Sequence, residues 1–233
     1  MALALRAPKA YVAWINQHLG FNPRSQANSN ALSEFVIADL CESCPAVAAD
    51  LDAKRLVPTK NADVRTRVAS RNVDLVFLGA EPKTSRAAVE NKTIMTAHGK
   101  ARWNRYGDLI AYCNHMHNHR PDCIAAAIVV VNCSPAYENP DAFARGLLRP
   151  KFDMAKVVKD TVKIFADVPL RTSPHEPNDQ PEALAVIVVD YDGKNPAKLV
   201  TGDLSPQPGS SIDYEGFIRR ICDLYRQRFG ARL

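Results

Sequence analysis

The sequence predicts an α/β protein, with a mixed central sheet flanked by helices on both faces. Three observations carry this. Two segments, "CIAAAIVVVN" (123–132) and "ALAVIVVDYD" (183–192), are continuously apolar, as strands covered on both faces are. Several longer segments carry apolar residues at helical spacing. The two kinds alternate along the chain in the order helix, strand, hairpin strand, helix, strand, helix, strand, helix.

Each element follows from local pattern. Residues 9–19 fit a short helix, and "FNPRSQANSN" (21–30) fits a loop. In "ALSEFVIADLC" (31–41), Leu32, Phe35, Val36 and Leu40 recur at helical spacing, with Asn30 or Ser33 as candidate caps. Pro45 ends or restarts that helix. "VDLVFL" (73–78) and "RAAVENKTIMT" (86–96) read as strands joined by "GAEPKTS", an antiparallel hairpin; equal arms would set Leu78 opposite Ala88. "GKARWNRYGDLIAYCNHMH" (99–117), 153–167 and 213–229 are the remaining helices. The Pro-rich stretches 173–182 and 202–211 lie between patterned segments and are loops, not linkers.

Composition bounds the classes. The 233 residues are 46% hydrophobic and 24% charged, enough for one α/β domain with a sizeable core. The net charge of +5, with a pI near 8.9, permits a polyanionic partner without requiring one. The N-terminus lacks the apolar run and cleavage site of a secretory signal, and the longest apolar run is too short to span a bilayer. A cytoplasmic protein without a membrane partner is expected. Six cysteines do not form a disulfide scaffold, and reduced thiols are expected.

The chemistry concentrates on the hairpin. Glu90 and Lys92 are two apart on one strand and project to the same face, while Asn91 points away. With Leu78 opposite Ala88, Asp74 falls opposite Lys92 and diagonal to Glu90. Two carboxylates and an ammonium then share one face of an apolar hairpin. Such charges are tolerated there when they pair with one another or hold a metal. Paired carboxylates suit Mg²⁺, leaving positions for waters and a phosphate oxygen. The plainer reading is an ion pair in which Lys92 bridges Asp74 and Glu90.

Asp74, fifteen intervening residues, then Glu90-Asn91-Lys92 resembles the D…(D/E)-x-K signature of the PD-(D/E)-x-K nuclease superfamily. The resemblance covers about residues 30–132 and implies a restriction-endonuclease-like αβββαβ core. Helix 31–41 would come first, then a first strand near 64–69 ("VRTRVA"), the hairpin, helix 99–117 and strand 123–132. It implies a single nuclease domain over 1–233, with 1–29 and 133–233 as elaborations. Val73 stands where the signature has proline.

The implied activity is Mg²⁺-dependent hydrolysis of duplex DNA (Mn²⁺ substituting), as in a type II restriction enzyme acting as a homodimer beside a companion DNA methyltransferase. Asp74 and Glu90 would bind metal, with Glu34 as a further acid from the first helix, and Lys92 would position or activate the nucleophile. A repair, recombination or phage-defence nuclease is the alternative within the fold. The Gln-x-x-x-Tyr motif of the exonuclease branch is replaced by Arg102 and Tyr106 at that spacing. The alternative outside it is a non-catalytic binding protein with an ion-paired triad.

Lys100, Arg102 and Arg105 open the helix beyond the strand and are candidate phosphate contacts, as are Lys83 and Arg86, with Arg65 and Arg67 nearby. Cys113, His115, His117, His119 and Cys123 cluster at a helix end, where histidines suit the helix dipole without zinc. Tyr137, Asn139 and Asp141 lie in a segment of turn formers.

Overall fold

Continuous apolar runs become the middle of the sheet. The computed structural model describes residues 6–23, 25–67, 69–80, 84–138, 145–146 and 153–230. Its six strands stand in sequence order: β1 Leu56–Arg65, β2 Ser70–Gly79, β3 Ser85–Ile94, β4 Ile124–Asn132, β5 Ala183–Asp190 and β6 Lys198–Leu199. β1, β2 and β3 are antiparallel neighbours, β3–β4 and β4–β5 pair in parallel, and β6 returns antiparallel. Every residue of β4 is buried, as the unbroken run "IAAAIVVVN" requires of a strand with helices on both sides.

Alternation along the strands divides the core into two layers. Phe77, Val89, Ile128 and Ile187 face one side, packed under α1 Arg6–Gln17, α2 Gln26–Ser43, α3 Pro45–Asp52 and α7 Tyr214–Phe229. Val76, Ala88, Val129 and Val186 face the other, under α4 His98–His119 and α6 Met154–Ala166. The short α5, Pro135–Glu138, follows β4. Burying a Val or Ile side chain in such a layer stabilises by roughly 1.5–3 kcal/mol. Among the described residues no helix is long and apolar enough to cross a membrane.

Three local expectations need correction. α2 begins inside the segment expected to be a loop. Ser25 is its cap, its hydroxyl accepting the Asn28 N–H at 3.3 Å, so neither Asn30 nor Ser33 caps it. Polar Gln26–Asn30 hid the first turn, because it borders a cleft and meets the core through the buried Asn28, whose Oδ1 accepts from Tyr11, and not through an apolar face. The first strand runs over 56–65, not 64–69. Its "LVPTKNADVR" lacks alternation and contains Pro58, which a sheet tolerates at an edge, where β1 lies.

The hairpin register is the third correction. Val76 pairs with Ala88 and Phe77 with Ala87, and an irregularity then sets Leu78 opposite Ser85. The expected Leu78–Ala88 pairing is therefore displaced by two residues, and Asp74 does not stand opposite Lys92. The loop arms are unequal because β3 carries an extra residue at this irregularity.

Candidate functional site

β3 delivers Glu90 and Lys92 to the α4 face, in step with Ala88. Glu90 is 4% exposed. Its Oε1 accepts from Lys92 Nζ at 2.5 Å and from Arg71 Nη2 at 3.3 Å. Arg71 comes from β2, and its guanidinium lies 5.4 Å from the centre of the Tyr112 ring. The other carboxylate oxygen, Oε2, is buried with no hydrogen-bond partner. Burial pushes the Glu90 carboxyl above its usual value; Lys92 opposes the shift and Asp74 adds to it.

Asp74 and Asn91 turn elsewhere. Asn91, on the opposite face of β3, donates from Nδ2 to Ser33 Oγ at 2.9 Å and to the Ser29 carbonyl at 3.2 Å, both in α2. Asp74 Oδ2 accepts the backbone N–H of Asn91 at 2.7 Å, and Oδ1 accepts from Ser29 Oγ at 2.5 Å. The β2–β3 ladder ends at Leu75–Val89. The Asp74 carboxylate thus takes an N–H that a β2 carbonyl would otherwise bond.

Asp74, Asn91 and Lys92 border a polar cleft between the first turn of α2, β2–β3 and α4. Ser25, Asn28, Asp74, Asn91, Lys92 and Arg105 line it. Arg105 reaches it from α4, donating to the Thr93 carbonyl at 3.3 Å and pairing with Asp108 at 2.8 Å. Two cations and one carboxylate face the cleft, and Glu90 lies behind Lys92.

The remaining expected residues scatter. Glu34 pairs with Lys60 of β1, its carboxylate mostly exposed, and is not turned toward Glu90. Lys100 is exposed in the first turn of α4. Arg102 leans on the Trp103 ring at 5.9 Å. Arg86 pairs with Asp50 of α3 at 2.8 Å and lies by Tyr225 and Phe229 of α7, so it fastens β3 to the other layer. Lys83, Asn139 and Asp141 lie outside the described residues. Arg65 and Arg67 border a separate groove with His119 and Arg120.

The cysteine–histidine segment is dispersed. Cys113 and Cys123 are buried in the α4-side core, which pushes both thiols up. His117 faces Glu182 and the Asn178 carbonyl, each at 2.8 Å. Among the described residues no three His, Cys, Asp or Glu side chains are grouped to hold a metal.

Mg²⁺ does not need three protein ligands. One or two carboxylates, completed by waters and phosphate oxygens, are enough. Asp74 on the cleft and the unpartnered Glu90 Oε2 fit that donor chemistry.

A pH test follows from the Glu90 shift. A carboxyl raised by folding is most favourable to stability when protonated, and that contribution is lost as pH rises through the folded value. Glu90→Gln removes a charge whose burial costs stability at neutral pH. Its melting temperature minus that of the wild type should be more positive at pH 8 than at pH 4. A difference constant across that range would show that Glu90 ionises as freely in the fold as out of it.

Sequence reasoning missed Ser29, Asn61 and Arg71. Ser29 lay in an expected loop, Asn61 in an unrecognised strand, and Arg71 joins Glu90 only through the true register. No protein-family model, curated protein or solved structure matches this chain.

Proposed function

We propose that the chain is a divalent-cation-dependent DNA endonuclease of the PD-(D/E)-x-K kind, most like a type II restriction enzyme. The observation that carries this reading is the cleft. Asp74 and Lys92 face it together, and Glu90, with one carboxylate oxygen unpartnered, sits directly behind Lys92. The order α2, α3, β1, β2, β3, α4, β4 supports it, since apart from the short α3 it is the αβββαβ order the resemblance implies.

Asp74 and Glu90 would hold Mg²⁺, with Mn²⁺ able to substitute. Bound there, the cation supplies charge neutralisation at the phosphodiester and acidifies water. Lys92 donates to the attacking water or a phosphate oxygen, and the Glu90 contact fixes its ammonium. Arg105 offers a guanidinium to the neighbouring phosphate. Asn91 couples β3 to α2 and keeps Asp74 in place through its N–H. A pair of copies, each cutting one strand, would serve a two-fold duplex site.

Incubation with plasmid DNA and Mg²⁺ should give discrete fragments, and chelation should stop the reaction. Lys92→Ala should slow cleavage by roughly 100-fold or more. Cleavage by this variant at the wild-type rate would end the assignment.

A second reading has one observation in its favour. Glu90 Oε1 already accepts from both Lys92 and Arg71. In that reading the cluster is an ion pair and the chain binds DNA without cutting it. Calorimetric titration with Ca²⁺ separates the two: heat on addition supports the nuclease, and DNA binding without it supports the ion pair.

A further inference from the structure

A β-strand alternates its side chains between two faces. In β1 and β2 that alternation reverses midway. Leu75 and Phe77 lie in the core under α2 and α7. Val76 and Val73 both lie in the core under α4, although they are three residues apart. β1 does the same. Leu56 belongs to the first core and Val64 to the second, an even separation that unbroken alternation would keep on one face. The register does not slip, because Lys60 pairs with Leu75 and Ala62 with Val73. Both strands therefore reverse together, and Asn61 and Asp74 are the opposed residues left out of the ladder.

Asn61 has φ of 50°, in the left-handed region. Asparagine tolerates this better than most residues with a Cβ. Its Nδ2 donates to Asn30 Oδ1 of α2 at 2.5 Å, and its carbonyl accepts from Asn72 Nδ2 at 3.1 Å. Across from it, Asp74 extends toward the Asn91 N–H and Ser29. With regular alternation Asp74 would follow Val76 onto the α4 face and lose its contacts with the Asn91 N–H and Ser29.

The geometry points to Asn61 as the positioning residue for Asp74. Its left-handed backbone reverses both strands and brings the Asp74 carboxylate to the cleft. The same reversal carries Arg71 to Glu90. The catalytic meaning of this role rests on the nuclease reading, but the geometric claim does not.

Asn61→Gly, Asn61→Ala and Asn61→Val test it. Glycine adopts positive φ without a Cβ penalty, alanine does so at a cost, and β-branched valine resists it most. Two readouts apply: the Asn91 amide signal with its hydrogen-exchange rate in ¹⁵N-labelled protein, and the affinity for Mn²⁺. Asn61→Gly should keep the amide signal and bind Mn²⁺ within about twofold of wild type. Asn61→Ala and Asn61→Val should shift the amide, speed its exchange and weaken Mn²⁺ roughly tenfold. If valine leaves both readouts at wild-type values, or glycine damages them as much as valine does, the positioning role is overturned. If wild-type protein fails to bind Mn²⁺ while the amide still separates glycine from alanine and valine, Asn61 keeps its role and the nuclease reading falls.

Discussion

Glu182→Ala is expected to destabilise the protein by about 3–5 kcal/mol, a drop of roughly 10 °C in melting temperature for a chain of this size. Glu182 and Arg171 are both fully buried. Glu182 Oε1 accepts from Arg171 Nη1 at 3.1 Å and from Arg228 Nη1 at 2.9 Å. Oε2 accepts the Ala125 N–H at 2.9 Å and lies 2.8 Å from His117 Nε2. One carboxylate therefore ties the start of β4, the end of α4, α7 and the loop before β5. Arg171 also donates to the carbonyls of Pro121 and Pro174, which fixes the Pro-rich loop. Removing Glu182 leaves two buried guanidinium groups facing each other without a counter-charge. Removing the exposed Lys163–Asp167 pair on α6 should leave the midpoint unmoved, because such pairs contribute little. Chemical denaturation of both variants checks this. Equal midpoints would mean that water reaches the Glu182 cluster.

What the sequence made legible was the part governed by short-range pattern. β4 and β5 announce themselves because a strand covered on both faces has no polar position to hide. The helices near 153–167 and 213–229 follow from apolar spacing, and Asp153 and Asp213 cap them by accepting the N–H of Lys156 and Gly216. β1 was hidden because an edge strand needs no apolar alternation. The pairing of Glu90 with Lys92 was legible, because residues two apart on a strand share a face whatever their neighbours do. The place of Asp74 was not. It depends on an irregularity near Leu78 and a reversal at Asn61, and neither leaves a mark in the pattern of β2 and β3 alone. The Glu182 network was equally silent, since its members lie far apart in the chain and only the fold brings them together.

Asp74→Asn should separate catalysis from folding. Asp74 accepts two hydrogen bonds, from the Asn91 N–H and the Ser29 hydroxyl. Asparagine can accept from the Asn91 N–H through its oxygen and donate to Ser29 through its amide, since a hydroxyl serves as donor or acceptor. The fold therefore keeps its contacts, and stability should change by less than about 1 kcal/mol. Asp74→Ala instead leaves the Asn91 N–H unpartnered and should cost about 1–3 kcal/mol. In the proposed nuclease reading, loss of the charge acts on the metal. A divalent cation supplies several kcal/mol of charge stabilisation, so Asp74→Asn should slow Mg²⁺-dependent nicking of supercoiled plasmid by roughly 100- to 1000-fold under single-turnover conditions. Calorimetry should show weaker Mn²⁺ binding in the same variant. Unchanged nicking in a stably folded Asp74→Asn protein would remove Asp74 from the site. Losses of stability and nicking in parallel would assign it to holding α2 against the hairpin.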